Sequence, residues 1–403
     1  MSGKADISMQ EQAAASGGAP VPVVLQVLPA LDTGGAERGA VDIAAAVVAA
    51  GGRSLVASSG GRMVRDVERS GATHVTLPLQ TKGLLAIRRN AAALAKLIRD
   101  ESVDIVHARS RAPAWAARLA CRRTGTRFVT TFHGTYNKGQ PFKKFYNSVM
   151  VRGERVIAIS QFIADHIERH YRMDPARLRV VPRGVDLDIF DPQKVPAVRV
   201  IQLAEKWRLP DGVPVVMLPG RLTRWKGQLL LVEALARLGN DHIRCLFVGD
   251  DQGRVAYRRQ LEKLVKRRKL DGVVHLVGSC LDMPAAYMLA DVVVSASTDP
   301  EAFGRVMAEA QAMGKPVVAA DHGASREIVL PDETGWLFAP GDAEDLAAKL
   351  GHVLSLDTAA REALAAKAIA NTRAKFSKAD MCARTLEIYE DMLAEDQTAD
   401  ADG

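Results

Sequence analysis

Two glutamates, Glu301 and Glu309, stand eight positions apart on either side of a Phe-Gly pair. The apolar run before them, Asp291 to Ser297, predicts a buried strand, and residues 304–313 predict a helix. Backbone N–H groups at a helix start attract phosphate, and eight helical residues span roughly 12 Å. One carboxylate could therefore bind a sugar hydroxyl and the other a ribose diol, with a diphosphate over the helix start between them.

The segment Gly220–Gly227 supplies two cations at a second strand-to-helix turn. It reads Gly-Arg-Leu-Thr-Arg-Trp-Lys-Gly and follows the apolar run at residues 215–218. Arg221 and Lys226 are spaced so that both could reach one diphosphate, the arginine as a planar fork and the lysine as a point charge. Cations held in place there would stabilise the negative charge that grows on a departing nucleoside diphosphate.

Two loops in the first half of the chain carry further candidates. Gly34 and Gly35 follow the first predicted strand, and adjacent glycines let the backbone approach a ligand closely. This loop lacks the G-x-G-x-x-G spacing of a nicotinamide site. His133 ends another predicted strand, so it belongs at the carboxyl edge of the sheet. His107 also ends a strand, and it either lines an acceptor site or is a buried structural histidine.

These segments together resemble the retaining glycosyltransferases of family 4, which have the GT-B architecture. Glu301 to Glu309 matches the family's E-x7-E signature, and Gly220–Gly227 matches its G-R-L-x-x-x-K-G motif. The loop with Gly34 and Gly35 is similar to the family's G-G-x-E loop. The resemblance covers about residues 22–393, and it implies transfer of a sugar from a nucleotide-sugar to a hydroxyl acceptor with retention at the anomeric carbon.

The resemblance also implies how the leaving group is stabilised. Arg221 and Lys226 neutralise the leaving diphosphate, with help from backbone amides near Phe303 and Gly304. No side chain is assigned as a covalent nucleophile. The family instead implies a front-face mechanism, in which the leaving phosphate assists deprotonation of the acceptor.

The remaining family positions imply contacts with the sugar, the ribose and the acceptor. Glu301 orients the transferred sugar, Glu309 holds the ribose, and His133 contacts the sugar from the other domain. Gly34 and Gly35 face the diphosphate and the acceptor.

The segment Pro182–Phe190 resembles the family's P-N-G-V-D-x-x-x-F hinge but has Arg183 where the family has asparagine. An anionic group of the acceptor is one ligand that this arginine could contact. Asp186 and Asp188 look like the D-x-D metal motif of the other glycosyltransferase fold. These aspartates lie in a hinge, and the resemblance implies that basic residues and a helix end take the place of a metal. We therefore predict no metal site and no cofactor.

Short apolar runs alternate with helical patterns throughout the 403 residues, which predicts an α/β fold with parallel sheets. The expected architecture is GT-B, with two Rossmann-like doubly wound domains facing a central cleft and a last helix crossing back to the first domain. The predicted divisions are a disordered tail at 1–20, an acceptor domain at 21–190, a nucleotide-sugar domain at 191–376, the crossing helix at 377–393 and a second disordered tail at 394–403.

The formal net charge of +7 favours a partner that carries phosphates. Six arginines lie between residues 109 and 127, and the segment Lys138–Tyr146 interleaves cations with aromatic residues. Such a pattern is typical of docking on an anionic membrane, and it is equally typical of a solvated helical face. The predicted partners are thus a nucleotide-sugar donor and possible contacts with an anionic membrane and a lipid-linked acceptor, without nucleic acid.

The predicted function is transfer of a sugar to a glycolipid or a lipopolysaccharide core. The alternatives are transfer to a small soluble acceptor, a nucleotide-sugar epimerase, and a non-catalytic nucleotide-binding protein. Four cysteines far apart in the sequence, with no apolar run of membrane-spanning length, predict a cytoplasmic location, with peripheral contact to the inner membrane face as an option.

Overall fold

The structure is a computed structural model that describes residues 22–32, 34–136 and 141–401. The predicted tail at residues 1–20 lies outside the described residues, as do residues 402 and 403. The chain divides into two compact units. The first unit holds the described residues up to Thr130 and those from Ile388 onward, and the second holds Thr131–Glu387.

The first unit is built on parallel strands in the order β3-β2-β1-β4-β5. These strands are β1 (Val23–Val27), β2 (Arg53–Ser58), β3 (Thr73–Thr76), β4 (Ile105–Ala108) and β5 (Arg127–Phe132), whose last two residues belong to the second unit. The helices between them are α1 (Gly35–Ala49), α2 (Val64–Arg69), α3 (Leu84–Asp100) and α4 (Arg111–Thr124). Every residue of β1 and β4 is buried, as expected for parallel strands covered on both faces.

The second unit contains a parallel pair and a six-stranded parallel sheet. The pair is β6 (Arg155–Ala158) and β7 (Leu178–Val180). The sheet has the order β10-β9-β8-β11-β12-β13, and its strands are β8 (Val215–Pro219), β9 (Arg244–Val248), β10 (Val274–Gly278), β11 (Val292–Ser295), β12 (Val317–Ala320) and β13 (Gly335–Phe338).

Helices of the second unit lie between these strands and after the last of them. They are α5 (Pro141–Asn147), α6 (Gln161–His170), α7 (Ala197–Lys206), α8 (Gln228–Leu238), α9 (Val255–Arg267), α10 (Met283–Leu289), α11 (Arg305–Ala312), α12 (Ser325–Ile328), α13 (Ala343–Leu354), α14 (Thr358–Lys375) and α15 (Lys378–Ala401), which ends in the first unit. The predicted alternation of strand and helix, with two parallel Rossmann-like sheets, is confirmed.

A buried apolar core packs helices against the six-stranded sheet. Val216, Phe247 and Val294 are fully buried and pack in one cluster with Leu231 and Leu350 from helices α8 and α13. Because β8 and β11 are neighbours and run in the same direction, the loops after their carboxyl ends lie side by side. One of these loops contains Lys226 and the other contains Glu301.

The last helix runs farther than the sequence predicts. It begins at Lys378 and continues to Ala401, past the predicted end at Leu393 and through most of the predicted acidic tail. Its final part is grouped with the first unit, where the Tyr389 hydroxyl lies 2.6 Å from His107 Nδ1. The predicted border near residue 190 falls inside the second of these compact units. The predicted division into an acceptor domain and a nucleotide-sugar domain stays a prediction.

Candidate active site

The predicted cation and carboxylate of the two motifs contact each other directly. Lys226 Nζ donates to Glu301 Oε1 at 2.5 Å, and Ser297 Oγ donates to the same oxygen at 2.6 Å. The side chains of Lys226 and Glu301 are only 16% and 11% exposed, so solvent screens this ion pair weakly. Lys226 Nζ also lies 4.3 Å from the centre of the Trp225 ring, a distance at which an ammonium and an aromatic face attract each other.

Close backbone contact holds the two loops together. Gly227 has a φ of +73°, and a Cβ at this position would lie 1.8 Å from the carbonyl oxygen of Ala296. Thr298 N–H donates to the carbonyl of Trp225 at 2.7 Å. A side chain at position 227 would therefore separate the loop of Lys226 from the loop of Glu301, and this explains the glycine that ends the motif.

A third loop, after β12, supports the backbone of Glu301. Ala324 N–H donates to the Glu301 carbonyl at 2.9 Å, and a Cβ on Gly323 would lie 2.4 Å from that same oxygen. The ring of His322 bonds through Nε2 to the carbonyl of Ser297 at 2.9 Å. These contacts fix Glu301 from its main chain as well as from its carboxylate.

The Phe-Gly pair performs two different structural tasks. Phe303 is 5% exposed, and its ring lies 5.6 Å from that of Phe376, so its side chain belongs to the core. Gly304 precedes α11 with a φ of +91°, which favours glycine. The first N–H groups of α11 therefore lie beside the loop of Glu301, and phosphate binding by these groups stays a prediction.

Glu309, at the far end of the motif, has a different environment. Its Oε2 accepts a hydrogen bond from the Tyr287 hydroxyl at 3.0 Å, and Arg305 Nε lies 3.9 Å from its Oε1. Burial raises the pKa of Glu309, although Arg305 and the hydroxyl of Tyr287 oppose that shift. Tyr287 is fully buried and was not predicted, because a tyrosine within an apolar helix looks like ordinary core.

Arg221 differs from Lys226 although both belong to one motif. Its side chain is exposed, while its carbonyl accepts from Gln228 Nε2 at 3.0 Å. Gln228 is buried and accepts in turn from the Tyr257 hydroxyl at 2.9 Å. The backbone at Arg221 is thus fixed, and its guanidinium extends into solvent.

His133 is paired with the arginine that departs from the family pattern. Arg183 is 7% exposed, and its Nη2 lies 2.9 Å from His133 Nδ1. Both residues belong to the second unit. Asp186 and Asp188 from the same segment bond to Lys378 at 2.5 Å and to Lys194 at 2.9 Å. Each carboxylate of the apparent D-x-D motif thus has a lysine partner.

The start of helix α6, at residues 160–162, is hydrogen-bonded to the loop of Glu301 and to Glu327. Ser160 Oγ donates to the Ala302 carbonyl at 2.6 Å. Glu327 accepts from the first N–H groups of α6, those of Gln161 at 2.8 Å and Phe162 at 2.7 Å. Burial raises the pKa of Glu327, and these two N–H groups oppose the shift. The sequence carried no signal for this contact, since it joins positions far apart in the chain.

The glycine loop and His107 lie in the first unit. Gly34 precedes α1, and a Cβ there would lie 2.2 Å from the Glu37 carboxylate; Gly35 is the first residue of that helix. His107 is fully buried beside Tyr389. Burial lowers the pKa of His107 well below its usual value, and the charge of Arg109 adds to the shift. This burial is what the structural alternative for His107 predicts.

Family models match most of the chain. The family described as Glycosyltransferase Family 4 matches residues 33–189, and that described as Glycosyl transferases group 1 matches residues 201–374.

No helix in the described part of the chain is both long enough and apolar enough to span a membrane.

Individual proteins agree with the family matches. A D-inositol 3-phosphate glycosyltransferase from Xylanimonas cellulosilytica is 34% identical over 305 residues, which are 71% of each chain. One of the same name from Nocardioides is 31% identical over 61% of this chain and 56% of its own. A Rickettsia africae glycosyltransferase structure is 37% identical, with a TM-score of 0.86 over 92% of this chain and 98% of its own.

A structure of Anabaena HepE in complex with UDP and glucose is also similar. It is 25% identical with a TM-score of 0.80, over 91% of this chain and 99% of its own. The fold and the site define a GT-B glycosyltransferase. The chain belongs to the group 1 glycosyltransferases, with a family 4 N-terminal part.

Proposed function

We propose that this enzyme transfers a hexose from a UDP-sugar to a hydroxyl acceptor with retention at the anomeric carbon. The observation that carries the proposal is the Lys226–Glu301–Ser297 cluster at the start of α11, with Glu309 toward the other end of that helix. The choice of UDP rests on HepE, a relative whose structure contains UDP and glucose.

Lys226 carries the largest share of the chemistry in this proposal. When the bond between the sugar and the diphosphate breaks, negative charge grows on the leaving oxygen. A lysine fixed by Glu301 and by the Trp225 ring requires little reorganisation to stabilise that charge. Arg221, whose side chain is exposed, adds a second cation, and the N–H groups that start α11 add fixed dipoles.

Retention without a covalent intermediate is consistent with the environment of Glu301. A carboxylate oxygen that accepts from both an ammonium and a hydroxyl is a weak nucleophile, because its charge is already shared. Glu301 then orients the sugar, and the leaving phosphate takes the acceptor proton on the same face. The reaction needs no metal in this scheme, so turnover is expected to persist in excess EDTA. Loss of turnover in EDTA that Mn²⁺ or Mg²⁺ restores would contradict it.

The proposed acceptor is a glycolipid at an anionic membrane surface. Phe142 and Phe145 of α5 are 86% and 61% exposed, and Lys143 and Lys144 between them are exposed as well. Aromatic side chains that insert into a headgroup layer beside lysines that attract anionic lipid would hold such a helix on a membrane. The first residues of the predicted segment, 138–140, lie outside the described residues.

A small soluble acceptor is the second candidate, and the relatives favour it. The Xylanimonas and Nocardioides proteins are named for D-inositol 3-phosphate, a phosphorylated polyol. The positive charge of the chain would attract the phosphate of such an acceptor, and no membrane would be needed.

One experiment separates the two acceptors. UDP-glucose is incubated with the protein and with either inositol phosphate or vesicles that contain bacterial glycolipid, and the released UDP is measured. A Phe142→Ser/Phe145→Ser variant and an exposed control, Leu281→Ser, are tested in parallel. The glycolipid proposal expects transfer on vesicles that falls in the double variant alone. Equal transfer to inositol phosphate in all three proteins, with none on vesicles, would favour the soluble acceptor. NMR of the product then tests retention.

A further inference from the structure

Two adjacent leucines at the start of α3 are strongly exposed. Leu84 and Leu85 are the first two residues of this helix, and they are 68% and 77% exposed. A single exposed leucine is ordinary on a protein surface, whereas contiguous apolar side chains rimmed by polar residues are typical of interaction sites. The pair therefore forms an apolar tip on the first unit.

The apolar face of α3 extends past the core that it covers. Ile87, Ala91 and Leu94 are buried on one side of the helix. Leu84 stands three positions before Ile87 and seven before Ala91, so it lies on the same face. This face therefore continues for one further turn, and the exposure of Leu84 shows that no described residue covers that turn.

Hydrogen bonds hold this exposed turn in place. Asn90 is 4% exposed, and its Nδ2 donates to the Pro78 carbonyl at 2.9 Å and to Thr81 Oγ1 at 3.2 Å. Ile87 N–H donates to the Gly83 carbonyl at 2.9 Å. The segment before α3 is thus fixed to the helix, so the two leucines are presented by an ordered turn.

Three cations flank the two leucines in the sequence. Lys82, Arg88 and Arg89 are all exposed. No aspartate or glutamate occurs between Glu68 and Asp100, so no carboxylate of this segment neutralises them. The start of α3 therefore combines an apolar tip with a local excess of positive charge.

This combination suits a lipid surface better than a protein partner. Leucine side chains enter the headgroup layer of a bilayer, while neighbouring lysines and arginines attract anionic lipids. A stable protein complex buries roughly 800 Å² on each partner, far more than two leucine side chains offer, and its interface is depleted in lysine. The charges and the small apolar tip therefore favour an anionic bilayer.

We infer that the start of α3, residues 82–89, docks on an anionic membrane. Leu84 and Leu85 enter the headgroup layer, and the three cations lie against lipid phosphates. This inference deepens the proposed function and rests on it, because a glycolipid acceptor requires the enzyme at the membrane. It adds a contact in the first unit to the one proposed for α5 in the second.

The first test measures binding to vesicles and needs no activity. Vesicles of phosphatidylglycerol mixed with phosphatidylcholine are sedimented with the full chain. Leu84→Ser/Leu85→Ser should bind more weakly than wild type by about tenfold or more, because two apolar side chains are no longer transferred out of water. Leu281→Ser, which changes another exposed leucine, should match wild type. Circular dichroism checks that both variants fold.

The second test concerns the charges. Lys82→Gln/Arg88→Gln/Arg89→Gln should lower binding to the anionic vesicles and weaken its dependence on salt, while binding to phosphatidylcholine alone should change little. The matched control removes the same number of exposed cations from α9, as Arg259→Gln/Lys263→Gln/Lys266→Gln. An equal loss of binding in this control would show that net charge alone acts, and it would overturn the inference.

Insertion is measured directly with Leu84→Trp. Its additional tryptophan emission, relative to wild type, should shift to shorter wavelength on anionic vesicles, because the ring leaves water. Leu281→Trp should show no shift. If Leu84→Trp shows none either, or if the leucine double variant binds as well as wild type, the inference is wrong and the glycolipid proposal keeps α5 alone.

The remaining outcomes distinguish this inference from the proposed function. If the leucine double variant loses vesicle binding but wild type transfers no sugar to glycolipid, the contact of α3 stands and the proposed acceptor fails. If wild type does not bind anionic vesicles, the inference fails, and transfer to inositol phosphate tests the soluble acceptor. Analytical ultracentrifugation without lipid tests a second copy as the partner. A dimer that the leucine double variant alone loses would assign the leucines to a protein contact and overturn the inference.

Discussion

Glu301 and Glu309 belong to one sequence motif but have different polar partners. Glu301 accepts from an ammonium and from a hydroxyl at 2.5 and 2.6 Å. Glu309 meets a neutral tyrosine hydroxyl at 3.0 Å and a more distant guanidinium at 3.9 Å. The first glutamate is therefore paired with Lys226 and Ser297, while burial raises the pKa of the second.

The difference shows why a motif with two identical residues can perform two tasks. A carboxylate that is paired with a lysine partly neutralises it. The carboxylate therefore sets how strongly that lysine attracts a leaving diphosphate. A carboxylate that bonds to a neutral tyrosine hydroxyl, with the nearest guanidinium 3.9 Å away, suits further neutral hydroxyl groups such as a ribose diol. We therefore expect mutations at the two ends to affect different kinetic constants.

Removal of Lys226 should have the largest effect. Lys226→Ala is expected to lower turnover by about 10²-fold or more, on the order of 3 kcal/mol for a lost charge contact in the transition state. Arg221→Ala, which removes an exposed cation, should lower it by less. The exposed Lys266→Ala serves as the control for net charge. Turnover measured with saturating UDP-sugar tests this, and near-normal values for Lys226→Ala would exclude the role given to that residue.

Neutralising Glu301 should have the second-largest effect on turnover. Glu301→Gln keeps an acceptor for Ser297 but leaves Lys226 without its anion. Turnover should fall by about tenfold or more, because the sugar loses its orienting carboxylate. Binding of UDP alone should persist or become tighter, because Lys226 is no longer neutralised. Calorimetry with UDP measures this, and abolished UDP binding would mean that Glu301 contacts the nucleotide.

Several of these features could be predicted from the sequence. The strand before each motif, the glycines at both turns and the two Glu positions are local signals, so the loop after β8 and the start of α11 were predicted nearly to the residue. The observed helix begins at Arg305, one residue after the predicted start. The helix was predicted over 377–393, but its continuation from residue 394 to residue 401 was not, since an acidic end with little apolar periodicity does not look like a continuing helix.

The partners of the motif residues could not be predicted. Tyr287 and Glu327 bond to residues 22 and 166 positions away, and Ser297 bonds to Glu301 within one loop. The types and spacing of all three match ordinary helix and strand residues. The contact between Arg183 and His133 spans fifty positions, and only the folded chain brings them together. Roles that depend on such contacts therefore require the structure, whereas the class of chemistry did not.

The Glu309 end should give a smaller and different effect. Glu309→Gln is expected to raise the KM for the donor by about tenfold, roughly the value of one hydrogen bond to a charged or strongly polar group, with little change in turnover. Tyr287→Phe should raise it less. A 2′-deoxy donor should lose affinity for wild type but lose little more in Glu309→Gln. If the 2′-deoxy donor loses as much affinity for Glu309→Gln as it does for wild type, Glu309 does not contact the ribose.

The smallest effect concerns stability and follows from the burial of Glu309. Its pKa is raised, so the native state favours the proton more than the unfolded chain does. That contribution is fully present below the unfolded pKa, about 4.3, and is lost as pH rises through the folded value. Glu309→Gln has no proton to lose. Its Tm relative to wild type should therefore increase from acidic to neutral pH and then level off. Glu327, whose pKa burial also raises, is common to both proteins and cancels. Thermal unfolding of both across this range measures the difference, and a difference independent of pH would show that Glu309 is not the group that titrates.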